Sequence, residues 1–322
     1  MRAKPAVPVA GVPLVRRIIQ WLVTYGVTDI ILNLHHRPDT ITTVVGDGRD
    51  LGARVRYSWE PRLLGSGGGP RRALPLFDTD RCFIINGDTL TDVDLKAMIE
   101  THLGTSAAVT LALVPNPDPW WYGGVVLDDA GRILKFTTSF RRAAATTSGA
   151  THHQRPQPGA SGHQPDLYHF VGVQIVERRI FSTLPEGEPA ESVSGLYRTL
   201  IAQGTRVQAF TCHAAFHDIG TPTDYLRTSL RFARAEGHDT IPAGADTSIG
   251  ADARIERTAI WDRVSIGPGC QLIDCIVTDD VQVPAGTALS KAILIAENRC
   301  AAVDDGRIIG NARTFPLDEG AR

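Results

Sequence analysis

The chain has 322 residues, 43% of them apolar and 21% charged, which at roughly 150 residues per domain points to about two globular domains and excludes a long disordered polymer. Lys and Arg number 33 against 35 Asp and Glu, a formal charge of -2. No global positive field therefore gathers nucleic acid or an anionic membrane, and any phosphate site has to be built locally.

No apolar run approaches the ~18 residues of a membrane helix. Pro5, Pro8 and Pro13 interrupt the N-terminus where a signal-peptide core would lie, so a cytoplasmic setting is expected. The five cysteines, Cys82, Cys212, Cys270, Cys275 and Cys300, are odd in number and form no C-x-x-C pair, which argues for reduced thiols over a disulfide framework or a zinc knuckle.

In chain order, Leu14, Val15, Ile18, Ile19, Leu22 and Val23 recur at helical spacing between Val12 and Tyr25, with Gly26 as a stop. An Ile-rich run over 28–34 reads as a buried strand. A short helix near 39–45, a strand over 54–59, a helix after Pro70, a strand over 82–85 and a helix over 92–102 follow. Strands alternating with helices predict parallel pairing through helical crossovers. A strand over 107–114 precedes a hairpin whose arms, 124–127 and 133–136, flank the turn Asp128-Asp129-Ala130-Gly131-Arg132. The stretch 141–165 lacks hydrophobic period and reads as a surface loop. Order resumes with a strand over 167–176, helices over 193–202 and 222–235, and a strand over 207–212 between them.

After Gly237 the helical period ends. Aliphatic residues recur at Ile249, Ile255, Ile260, Ile266, Leu272, Val277, Val283, Leu289 and Ile295, in steps of five or six residues, among Gly, Asp and Pro turns. Such spacing predicts a hexapeptide β-helix of about three coils, in which each short strand buries one aliphatic residue. Ordinary strands of a small sandwich are the alternative. The expected division is 1–237 and 238–322.

Three segments carry residue types that packing does not require. Leu64-Gly65-Ser66-Gly67-Gly68-Gly69-Pro70 lies between a strand and a helix, where bare backbone can approach a ligand, although a flexible loop has the same composition. Phe83-Ile84-Ile85-Asn86-Gly87-Asp88 runs an apolar strand into an Asp at its carboxyl end, the position where open α/β sheets bind ligands and where a hard oxygen suits Mg²⁺. His217-Asp218-Ile219-Gly220-Thr221-Pro222 sets a second Asp at a strand end before a helix start. Either Asp also serves as an ordinary cap.

Together with Lys4-Pro5-Ala6-Val7-Pro8-Val9-Ala10-Gly11, Tyr122-Gly123 and Phe170-Val171-Gly172-Val173, these segments resemble, in order and over nearly the whole chain, the sugar-1-phosphate nucleotidyltransferase family. The C-terminal repeats resemble the left-handed β-helix of its two-domain members, the mannose-1-phosphate guanylyltransferases among them. The resemblance implies a Rossmann-like α/β domain, an open, mostly parallel sheet with helices on both faces, followed by that β-helix. It implies transfer of a nucleoside monophosphate from an NTP to a sugar 1-phosphate, with release of pyrophosphate. Asp88 and Asp218 would converge on Mg²⁺, Lys4 would meet phosphate, Gly65, Gly67 and Gly68 would read the base, and Gly123 and Gly172 would border the sugar. Guanine and mannose are favoured by the resemblance alone.

The family's opening strand and G-x-G-T-R-L-x-P-L loop have no counterpart here, since Met1-Arg2-Ala3-Lys4-Pro5 aligns with the loop's end. The expectation is that Met1 is an internal start, and the alternative is a catalytically weak nucleotide-sugar-binding regulatory subunit. For the family's sugar-phosphate Lys the sequence offers Lys135, or Arg141 and Arg142 instead, and Lys135 reads equally well as an exposed strand residue. Trp120-Trp121-Tyr122 suits stacking on a base or sugar as well as packing. His35-His36 lacks a third ligand at useful spacing and reads as cleft-lining or structural; His213 and His217 sit in a strand and turn and not on one helical face, and His152-His153 falls in the loose stretch and reads as solvated. Acyl transfer by the coils is disfavoured because no His follows His238. Their faces and ends suit self-association into a homo-oligomer.

Overall fold

The computed structural model describes residues 1–139, 167–300 and 306–317. It divides into two compact units, one of residues 21–36 and 47–216, the other of residues 1–20, 37–46 and 217–322. The first helix, Leu14–Thr24, buries Leu14, Val15, Ile18, Ile19 and Leu22, the face its periodicity predicts.

In the first unit, Asp29–Leu34 and Arg54–Trp59 form a parallel pair in register from Asp29↔Arg54 to Leu34↔Trp59. A six-stranded sheet is organised around Val109–Pro115 and Tyr168–Glu177, which run antiparallel to each other. Val207–Thr211 joins Val109–Pro115 in parallel. Arg81–Ile85 joins Tyr168–Glu177 antiparallel, and the hairpin of Val125–Leu127 and Ile133–Phe136 meets it at Tyr168. The alternation of elements predicts mostly parallel pairing, but this sheet is mixed. Strands that return through a tight turn, or without a crossover helix, pair antiparallel.

Val109–Pro115 is apolar almost throughout and buried from Val109 to Val114, as befits a strand covered on both faces. Leu111, Leu113, Val176, Phe181 and Val207 form the surrounding core. One polar contact is built into that core: the Tyr197 hydroxyl donates to Gln174 Oε1 at 2.7 Å, and burial pushes the phenol's pKa upward. The hairpin turn is tied by Asp128 Oδ1, which accepts from Ala130 N at 3.0 Å and Arg132 N at 2.8 Å.

The second unit holds the helix Pro222–Ala235 and the C-terminal strands. Thr221 opens the helix with a capping box, its Oγ1 accepting from Asp224 N at 3.1 Å while Asp224 Oδ2 accepts from Thr221 N at 3.1 Å. The short strands after residue 247 stack in parallel ladders. Ile249, Ile266 and Val283 align in one, Ile255, Leu272 and Leu289 in the next, and Ile260, Val277 and Leu294 in the third. The step is the 17 residues that also set Arg257 on Asp274 and Arg263 on Asp280. That step places Leu294, not the predicted Ile295, in the last rung, and Leu294 is buried.

The four charged corner residues all have positive φ, so each ion pair ties one left-handed corner to the corner of the next coil. Ala312–Pro316 closes the stack by pairing antiparallel with Ala292–Ala296. The cysteines are all unbridged, with Cys270 and Cys275 buried among the aliphatic rungs. No helix among the described residues is long and apolar enough to cross a membrane.

Leu272 sits in the middle rung, fully buried between Ile255 and Leu289. Leu272→Ala is expected to lower the urea-unfolding free energy of the coils by about 2 to 5 kcal/mol; a loss well under about 1 kcal/mol would show that this side chain fills no close-packed core.

Candidate functional site

The turn Asn86-Gly87-Asp88 follows directly on the strand Arg81–Ile85, and its position is set by Tyr168–Glu177. Against Val109–Pro115 the register of that long strand shifts between Phe170 and Gln174, so the strand bulges there. Gly172 occupies the bulge at φ +82, and a Cβ on it would lie 2.8 Å from the Asn86 side chain. Its carbonyl accepts from Asn86 N at 2.8 Å. A residue with a side chain would thus meet both backbone strain and a clash, and the missing Cβ is what lets the turn close on the strand.

Asp88 is half-buried in this turn. The chain leaving it is fixed in turn. Thr91 Oγ1 donates to Ala215 O at 2.7 Å, and Asp92 Oδ1 accepts from Ala215 N at 2.7 Å.

The glycine segment is helical from its first glycine, Gly65–Ala73, where the sequence suggests a helix only after Pro70. Glycine is a poor helix former, so outside contacts hold this one. Gly67 N and Gly68 N donate to Ala190 O at 2.8 and 3.1 Å, and Ala190 N donates back to Leu64 O at 2.9 Å. Ser66 Oγ donates to Glu191 Oε2 at 2.7 Å and accepts from Ser192 N at 2.8 Å. A Cβ on Gly68 would stand 2.7 Å from Glu188 O. Much of the segment's bareness is therefore used against residues 188–192 of the chain itself.

Glu60 is a functional candidate that the sequence reading missed. Its carboxylate is 1% exposed, accepts from Leu64 N at 2.8 Å through Oε2, and takes the Asn33 amide on Oε1. A buried carboxylate is costly unless its oxygens are satisfied. This one spends both on fixing the entry to the glycine helix. Its placement between the strand Arg54–Trp59 and Pro61, four residues before Leu64, was the available signal.

Tyr122, His169 and Phe216 form an aromatic group, with Tyr122 and His169 centroids 4.3 Å apart and His169 and Phe216 4.9 Å apart. Desolvation lowers the His169 pKa to about 4, so the ring is neutral near pH 7 and adds no charge. Gly123 lies beside Tyr122, and a Cβ on it would meet Thr137 O at 2.6 Å. Lys135 is exposed on Ile133–Phe136, opposite Val126. His35 Nδ1 lies 2.9 Å from Glu60 O, while His36 and His213 are exposed.

In the other unit, Asp218 is half-buried at the end of the strand Phe216–Asp218, and Lys4 is exposed on the 3-10 turn Lys4–Ala6. The His217 ring packs edge-on to Phe232. Within the first unit the structure brings Gly172 to the Asp88 turn and sets His169, three residues away on the same strand, beside Tyr122. No group of three or more His, Cys, Asp or Glu suited to a metal occurs among the described residues. Arg141, Arg142, His152 and His153 lie outside the described residues.

The nucleotidyl transferase family model matches residues 1–234. The chain is 26% identical to a mannose-1-phosphate guanylyltransferase of Mycobacterium tuberculosis over 89% of its own length and 77% of the relative's. It is 29% identical to a D-glycero-alpha-D-manno-heptose 1-phosphate guanylyltransferase of Aneurinibacillus thermoaerophilus, over 70% of this chain and 86% of that one. The crystal structure of HddC from Yersinia pseudotuberculosis complexed with GMP-PN shares the fold, with a TM-score of 0.57 at 24% identity, over 71% of this chain and 89% of that one.

The neutral His169 gives a pH signature. Its folded-state pKa of about 4 lies below the ordinary 6.5, so between these values the unfolded chain binds more protons and stability rises with pH. Stability contributed here is complete above about pH 6.5 and falls by up to about 3 kcal/mol as pH drops toward 4. Urea unfolding across pH 4.5 to 7.5 should show a shallower acid loss in His169→Asn than in the parent chain. Parallel profiles would mean that the imidazole titrates freely in the fold.

Proposed function

The chain belongs to the nucleotidyl transferase family, and on that premise we propose that it transfers a nucleoside monophosphate from an NTP to a sugar 1-phosphate, releasing pyrophosphate. The observation that carries the reading is the half-buried Asp88 on a turn built at the carboxyl end of a strand and braced by Gly172. Guanine and mannose are the proposed base and sugar, supported by the mannose-1-phosphate guanylyltransferase that aligns over most of both chains.

In the proposed reaction a phosphate oxygen of the sugar 1-phosphate attacks the α-phosphorus in line. The bond to the bridging oxygen of pyrophosphate breaks, and that oxygen leaves with its electron pair. The sugar phosphate is already ionised near neutral pH, its second pKa being about 6 as in other phosphomonoesters, so no general base is needed. The task left to the protein is to align two anions and offset their charge.

Lys4 supplies a positive point charge to phosphate. Asp88 and Asp218 are each proposed as ligands of Mg²⁺, whose chemistry fits hard, half-buried carboxylate oxygens at strand ends. The bound cation would offset charge on the phosphate oxygens. Gly65, Gly67 and Gly68 are proposed for the base, through a backbone whose missing Cβ atoms let it pack against residues 184–191 of the chain. Free donors are not what Gly67 and Gly68 contribute, since their N–H groups already bond Ala190 O. Gly123 and Gly172 border the sugar, and Lys135 is proposed for its phosphate.

The catalytic module is proposed to be 1–237, Rossmann-like, with 238–322 a left-handed β-helix of hexapeptide repeats that serves self-association. The three ladders at a constant step support that reading. A cytoplasmic setting fits these substrates.

The test is pyrophosphate release with GTP, UTP, dTTP, CTP and ATP across a panel of sugar 1-phosphates. Release should require a sugar 1-phosphate, and Asp88→Ala and Asp218→Ala should each lower kcat/KM by about a hundredfold or more with unfolding midpoints unchanged. Unchanged turnover in either variant removes that residue from the metal role. NDP-sugar binding without turnover in the parent chain would replace the enzyme reading with a regulatory one.

A further inference from the structure

Lys4 lies in a segment that is held at both ends by groups outside it. At the front, Arg2 donates from Nε to Asp279 Oδ2 at 2.9 Å and from Nη2 to Asp279 Oδ1 at 2.6 Å, and Asp262 accepts from the same guanidinium. The Arg2 side chain is 11% exposed and that of Asp279 4%, so this is a desolvated, two-pronged ion pair. The guanidinium also lies 5.5 Å from the centre of the Trp261 ring. At the back, the Tyr225 hydroxyl donates to Pro8 O at 2.7 Å and accepts from Trp261 Nε1 at 2.8 Å.

Trp261 thus serves both anchors. Between them Ala3 N donates to Thr40 Oγ1 at 3.0 Å, and Lys4 is exposed. Buried ion pairs contribute little to net stability compared with apolar packing of the same volume, and in some proteins their geometry fixes register instead. Two carboxylates and an aromatic face on one guanidinium make a device for placing a backbone.

We infer that Arg2, Asp279 and Trp261 are positioning residues for Lys4, so that the C-terminal coils, which carry Asp279 and Trp261, set where the Lys4 ammonium stands. The inference rests on the reading of Lys4 as a phosphate ligand.

A double-mutant cycle separates the two. Arg2→Gln should lower kcat/KM about tenfold, chiefly through a higher KM for the NTP, and should cost less than about twofold more when added to Lys4→Ala. Arg2→Lys, which keeps charge but loses the fork, should recover only part of the loss. Trp261→Phe keeps a smaller aromatic ring and removes the N–H to Tyr225 together with part of the indole; it should show a smaller loss, about threefold, that again vanishes in the Lys4→Ala background. That variant carries the test if Arg2→Gln does not fold.

Losses that multiply with Lys4→Ala, or wild-type kcat/KM in both Arg2→Gln and Trp261→Phe, overturn the positioning role while leaving Lys4 in place. Wild-type kcat/KM in Lys4→Ala itself overturns the phosphate role and the inference with it.

Discussion

The contact between Gly172 and Asn86 is the constraint on which the candidate site depends. A strand that bulges at one residue, in a conformation glycine tolerates and other residues resist, presents its carbonyl to Asn86 N and leaves no room for a Cβ. The Asn86-Gly87-Asp88 turn is thereby held by backbone groups of a strand that itself pairs with Arg81–Ile85 and Val109–Pro115. A carboxylate on such a turn inherits the rigidity of the sheet. A catalytic group must be kept near its working geometry, and scaffolds of this kind do so better than free loops.

The glycine segment shows the same economy in a different form. Its helix lacks the side chains that would stabilise it, and Glu60, Ala190 and Glu191 compensate from outside. The close approach of residues 188–192 depends on the missing Cβ atoms of Gly65 and Gly68. Glycine here first serves packing between two segments of the chain, and any surface it offers to a nucleotide is a by-product of that packing. A Gly-rich motif followed by a helix is therefore ambiguous as a ligand signature until its N–H partners are known.

What the sequence makes legible follows from local physics. The helix Leu14–Thr24 shows in its apolar period, and the start of Pro222–Ala235 shows in Thr221-Pro222, because capping and proline preferences act within one turn. The C-terminal ladders show in a repeat that each coil must satisfy for its own core, with an error of one residue at Leu294. Long-range pairing is not legible in this way. Nothing in residues 168–177 states that they run antiparallel to two strands distant in the chain, so the sheet reads as mostly parallel and is mixed.

Asp88 is legible as a strand-end carboxylate and Gly172 as a lone glycine in an apolar strand. That one fixes the other depends on pairing and was not. Glu60 was missed because a buried acid looks, in sequence, like any acid after a strand.

The most direct measurement is steady-state turnover of Gly172→Ala beside its urea unfolding. If the bulge places the Asp88 turn, the variant should still unfold cooperatively, at a cost of about 1 to 3 kcal/mol, and should lose tenfold or more in kcat/KM. A folded Gly172→Ala protein with the parent's turnover would contradict the account, because the turn would then be shown to hold its position without that contact.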